Sequence, residues 1–153
     1  MVVLVGCSSN TGQSNTEEKF TFSDQLIYGE SNEIDLVQID YKLEGRKQWE
    51  DALVINQMIE QLQGIELRQM SAGEEMTLFE ENEILYIINL ISKQSPSHGK
   101  EAKGGLAFIF STGEVIFSDL ITMGVGRTVS YINVNEEEEK MESILSLINS
   151  LEK

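Results

Sequence analysis

The run Ile84-Leu85-Tyr86-Ile87-Ile88-Asn89-Leu90-Ile91 is apolar at every position but one and rich in branched side chains. Eight residues of this kind leave no wet face, so the segment reads as a central strand lying in the core, not as a surface helix. A chain that contains such a strand must surround it with further strands and cover them.

The remaining segments supply those parts. Between Ile34 and Leu43, the residues Val37, Ile39, Tyr41 and Leu43 alternate with Gln38, Asp40 and Lys42, which predicts a strand with one wet face. A turn at Glu44-Gly45 follows. Asp51 is then placed to cap a helix in which Ile55, Met58, Ile59 and Leu62 recur at i, i+3, i+4 and i+7, with Gly64 as its stop. Ile65, Leu67 and Met70 resume extended structure, and residues 71–83 read either as loop or as a short helix around Met76 and Phe79. Residues 93–104, with Ser95-Pro96-Ser97-His98-Gly99 inside them, form a long loop. Leu106 to Phe110, Thr112-Gly113 and Val115 to Phe117 make a β-hairpin signature. A short strand over 129–134 precedes a last helix, where Asn135 and Glu138 have capping-box spacing and Met141, Ile144, Leu145, Ile148 and Leu151 form the stripe. The expected fold is therefore α+β: a mainly antiparallel sheet with two amphipathic helices packed on one face.

At 153 residues, 41% hydrophobic and 24% charged, the periodic part fits one domain over residues 20–153. The 26 acidic against 11 basic residues give a net charge of −15. Nucleic acid is excluded as a partner on this ground, because phosphate neutralisation needs a basic stripe and the cations here form none. A single cysteine excludes an internal disulfide framework and any CxxC zinc site.

That cysteine carries the sharpest motif. Leu4-Val5-Gly6-Cys7 has the apolar, branched, tiny, Cys order of a lipobox, and Ser8 to Thr16 after it are all small or polar. The chain here resembles bacterial lipoproteins. The resemblance implies cleavage before Cys7, lipid attachment at Cys7, and anchoring on the outer face of the bacterial cytoplasmic membrane. Residues 1–6 then read as the end of a signal peptide truncated at its start, and residues 7–19 as a flexible tether too polar to bury itself. The alternative is that Val2 to Val5 form a first strand ending in a buried free Cys. The order of elements over residues 34–151, with Trp49-Glu50-Asp51 before the first helix and Tyr131 before the second, also resembles small uncharacterised lipoproteins of Bacillus-type bacteria. That likeness implies no activity for particular residues.

Other candidate chemistry is thin. His98 is the only histidine, and its Pro/Ser/Gly surroundings read as a solvated loop. GxSxG, P-loop and HExxH patterns are absent. Gly124-Val125-Gly126-Arg127 has the composition of a small anion nest, but two glycines and an arginine are unspecific and a turn between strands is the default reading. Glu136 to Glu139 lack the EF-hand order and suit the first turn of a helix, where carboxylates meet the positive end of the dipole. Met70, Met76 and Met123 read as core or edge packing. No catalytic, cofactor or metal residue is assigned. The expectation is a noncatalytic, lipid-anchored domain that binds a protein or small ligand through an open sheet face or the 93–104 loop. Its rivals are an envelope enzyme with acidic residues gathered in a cleft, and an accessory subunit of an envelope complex.

Overall fold

The computed structural model describes residues 20–21, 33–42, 45–119, 129–134 and 138–151. Among these residues eight strands, β1 (Phe20–Thr21), β2 (Leu36–Tyr41), β3 (Gly45–Trp49), β4 (Glu66–Gln69), β5 (Ile84–Ile91), β6 (Gly104–Phe110), β7 (Val115–Ser118) and β8 (Ser130–Asn133), form one sheet in the order β1-β4-β8-β7-β6-β5-β2-β3. Every neighbouring pair is antiparallel. Among the described residues three helices accompany them: α1 (Ala52–Leu62), α2 (Ala72–Glu81) and α3 (Glu138–Leu151). The α+β class and the mainly antiparallel sheet stand as the periodicities required.

The two faces of the sheet are built differently. On the first, Val37, Ile39, Ile88, Ile109, Val115 and Phe117 join the stripes of α1 and α3 in one buried cluster. Asp51 caps α1, its Oδ1 accepting from the backbone N–H groups of Leu53 at 2.9 Å and Val54 at 3.2 Å, donors that otherwise have no partner in the helix. Beyond the last turn, Gly64 takes a φ of +84°, which lets the chain reverse into β4 without a Cβ penalty. The Lys140 ammonium of α3 donates to the Gly64 carbonyl at 2.7 Å, placing a cation at the negative end of α1 and tying the two helices together. In α3 the buried positions are Met141, Ile144 and Ile148. Leu145 and Leu151 lie only partly buried at the margin of the stripe.

The opposite face carries the third helix, so the expectation of two helices on one face holds for α1 and α3 but leaves out α2. Phe79 of α2 sits edge-on to Phe108 and Phe110, with ring centroids 5.3 and 5.2 Å apart, above Met70, Ile116 and Ile132. This is why β5 has no wet face at its start. A bulge between Ile84 and Tyr86 lets Ile84, paired with Phe110, join the α2 cluster while Tyr86, paired with Ile109, joins the other. The α2 region was ambiguous in sequence because its apolar residues, Met76, Leu78 and Phe79, make a weak stripe. Ser71 resolves it as the cap, its hydroxyl accepting from the Glu74 N–H at 3.2 Å.

The strand β3 corrects the sequence reading, which passed from the Glu44-Gly45 turn directly to the Asp51 cap. Gly45-Arg46-Lys47-Gln48-Trp49 shows no apolar alternation, because an edge strand is held by its register to one neighbour, here Val37↔Trp49 through Tyr41↔Gly45. Asn135 and Leu43 fall outside the described residues.

Candidate functional site

Strand register carries side chains across the sheet in straight rows, since directly opposed residues share a face. On the α2 face one row runs Arg46, Asp40, Ile87, Phe108, Ile116, Ile132, Arg68 over seven strands. Phe108, Ile116 and Ile132 in its middle pack with α2, and its charged ends are closed by ion pairs. Arg46 Nε and Nη2 donate to the two carboxylate oxygens of Asp40 at 2.5 and 3.0 Å, and Arg68 makes the same bidentate pair with Glu74 at the start of α2. Each guanidinium holds its carboxyl partner below the usual carboxylate range, chiefly through the side-chain hydrogen bonds.

The next row is Gln48, Gln38, Asn89, Leu106, Ser118, Ser130. Five of these six residues are polar. Ser118 and Ser130 are buried, whereas Gln38, Asn89 and Leu106 are half-buried and belong to neither apolar cluster. Gln38 Nε2 donates to Gln48 Oε1 at 3.3 Å. Among the described helices, α2 covers the β6-β7-β8 part of this face, and the β3-β2-β5 part presents amides.

Above these amides the β5–β6 connection, residues 92–103, folds back. Asp35 fixes its start: the Asp35 N–H donates to the Ile91 carbonyl and its Oδ1 accepts from the Lys93 N–H, both at 3.0 Å. Gly104 fixes its end. With φ at +108°, an added Cβ there would stand 2.0 Å from the Leu90 carbonyl oxygen, so the crossing of β6 onto β5 at this point is possible only for glycine. The loop and the amide row enclose a hollow of about 300 Å³ that includes Gln38, Arg46, Asn89, Ser95, Lys93 and Lys103. A second hollow of about 430 Å³ adjoins it, lined by Glu33, Asp35, Gln94 and by Ser92, Ser95 and Lys103, which belong to both.

Of the sequence candidates, only the loop and the sheet face come together. His98 is exposed on that loop, its Nδ1 3.1 Å from the Ser97 hydroxyl. Met70 packs in the α2 cluster as expected, but Met76 is 61% exposed, which corrects its reading as a packing residue: its place on α2 faces away from the sheet. Cys7, Met123, Gly124 to Arg127, Glu136 and Glu137 lie outside the described residues. Among the described residues no three His, Cys, Asp or Glu side chains converge as a metal site, and no helix is long and apolar enough to cross a membrane. Sequence reasoning missed Glu33, Asp35 and Lys103. Each is an ordinary surface residue type, and 70 residues separate Glu33 from the Lys103 ammonium that contacts it. No protein-family model matches the chain, and no curated protein or solved structure matches it.

Proposed function

We propose that this chain is a bacterial lipoprotein, acylated at Cys7 and held on the outer face of the cytoplasmic membrane, whose α+β domain is a noncatalytic binding module for a protein or small ligand. The observation that supports binding is the amide-bearing end of the α2 face, left half-buried beside a hollow framed by the 92–103 loop. Such a surface offers donors and acceptors on rigid strands, with a loop pinned at both ends by Asp35 and Gly104. A catalytic carboxyl acid would need its pKa raised toward neutrality, whereas Asp40 and Glu74 are lowered by arginines and kept as carboxylates. The lipobox and the polar stretch after Cys7 support the anchor.

Both halves are tested in cells, with the chain expressed behind a functional lipoprotein signal peptide. Wild type is expected in the membrane fraction with a diacylglyceryl-modified Cys7 by mass spectrometry, and Cys7→Ala without lipid, because a single covalent anchor is the sole attachment proposed. An unmodified thiol in a soluble wild-type protein refutes the anchor. A photoreactive residue at Asn89 is expected to capture a ligand, whereas the same probe at Glu142, on the exposed side of α3, captures none. Equal yields at the two positions refute the binding face.

A further inference from the structure

The helices are held to the sheet unequally. On one face α1 has four buried residues and α3 buries Met141, Ile144 and Ile148, and the two share a single cluster with the strands. No residue of α2 is fully buried, and among the described residues its cluster contains no other helix. Its apolar hold on the sheet comes from Leu78 and Phe79, both half-buried. Its polar holds are the Glu74 pair with Arg68, whose side chains are 37% and 28% exposed, and the Glu75 bond from Ser130. An ion pair this open to solvent contributes little. The helix is also weak in itself: ten residues are too few to persist without packing, and Gly73 stands in its first turn. The Thr77 hydroxyl further competes for the Gly73 carbonyl, donating to it at 2.9 Å.

The structure beneath α2 does not depend on it. Phe110, Ile116 and Ile132 lie on β6, β7 and β8, strands bonded to one another and packed from the opposite face by α1 and α3. Both ends of the α2 segment are pinned to the sheet outside the helix, the Met70 N–H donating to the Ser130 carbonyl at 2.9 Å and the Ser111 N–H to the Glu83 carbonyl at 2.8 Å. Between these points residues 71–82 form one loosely held unit. We propose that α2 is a displaceable lid, which lifts and unravels as a unit while the sheet and its α1–α3 side stay folded. Opening uncovers the apolar floor of Met70, Phe110, Ile116 and Ile132 and joins it to the amide-bearing half of the same face. Water then reaches the Ser130 hydroxyl, so no buried donor is left stranded. This lid stands independently of the binding-module reading above.

Native-state hydrogen exchange of the full chain, isotopically labelled and followed by NMR, tests the lid. The α2 amides are expected to exchange roughly tenfold or more faster than the slowest amides of α1 and β5, because they open without global unfolding. Ile144→Val loosens only the α1–α3 side. It is expected to speed the slowest α1 and β5 amides roughly two- to tenfold and to leave α2 unchanged, since lifting the lid keeps the Ile144 contacts. Phe79→Leu removes the ring contacts to Phe108 and Phe110 and is expected to speed all α2 amides about twofold or more, by a common factor. A dispersed spectrum verifies that each variant is folded. Exchange of α2 as slow as that of α1, or accelerated in step with α1 by Ile144→Val, means that the helix leaves only with the whole domain and overturns the lid. Unequal changes along α2 in Phe79→Leu mean fraying from one end, and overturn the single unit.

Discussion

The hydroxyl of Ser130, 1% exposed in β8, donates a 2.7 Å hydrogen bond to Glu75 Oε1 of α2, so a buried polar group of the sheet is satisfied only when that helix is in place. Beside it, the Met70 N–H donates to the Ser130 carbonyl at 2.9 Å just before α2 begins. These bonds set where α2 lies, and therefore where its cover of the amide row stops.

Glu75→Ala is expected to cost about 1 to 3 kcal/mol, because it leaves a buried hydroxyl without its acceptor. Adding Ser130→Ala should recover part of that loss, since no orphaned group then remains. A double-mutant cycle by urea denaturation reads the coupling. Additive losses would mean that the hydroxyl finds another partner.

Gly104→Ala is expected to lower the stability by more than the roughly 1 kcal/mol of an ordinary Gly substitution, because φ of +108° and the Leu90 carbonyl oppose a Cβ together. Gly113→Ala provides the comparison: it also has a positive φ, at +95°, but nothing lies within 4 Å of its added Cβ. Denaturation midpoints should fall further for position 104. The same substitution should reduce ligand capture at Asn89, as the loop exit is displaced.

Acid should weaken the fold in a defined window. The folded-state pKa values of Glu74 and Asp40 lie below their ordinary values of 4.5 and 3.8, so their contributions are fully present above those values and are lost as pH falls through the depressed ones. The Glu74 pair, part-exposed and screened, accounts for under about 1 kcal/mol. Arg68→Met should flatten the urea-midpoint profile below pH 4.5 while costing little more at still lower pH, where Glu74 is protonated in both proteins. A profile as steep as that of wild type would remove the pair from the acid response.

Much of the fold was legible in the chain, and the reason is periodicity. Ile84 to Ile91 demanded a two-sided central strand, and Asp51 with the Ile55, Met58, Ile59, Leu62 stripe specified a capped, one-faced helix, because burial repeats at 2.0 or 3.6 residues wherever a single face meets a core. The edge strand β3 and helix α2 were not legible in the same way. One is held by backbone bonds to a neighbour, the other by Phe79 and the Glu75 contact to a strand 55 residues away, and neither writes a strong repeat into its own segment. The candidate site shows the division most sharply. Composition alone determined the charge of −15, and the chain itself displayed Cys7, His98 and the 93–104 loop as candidates. Only the tertiary structure aligned Gln38 with Asn89 and set Lys103 against Glu33 beside two adjoining hollows, because strand register and a glycine-permitted crossing juxtapose residues whose spacing along the chain carries no signal.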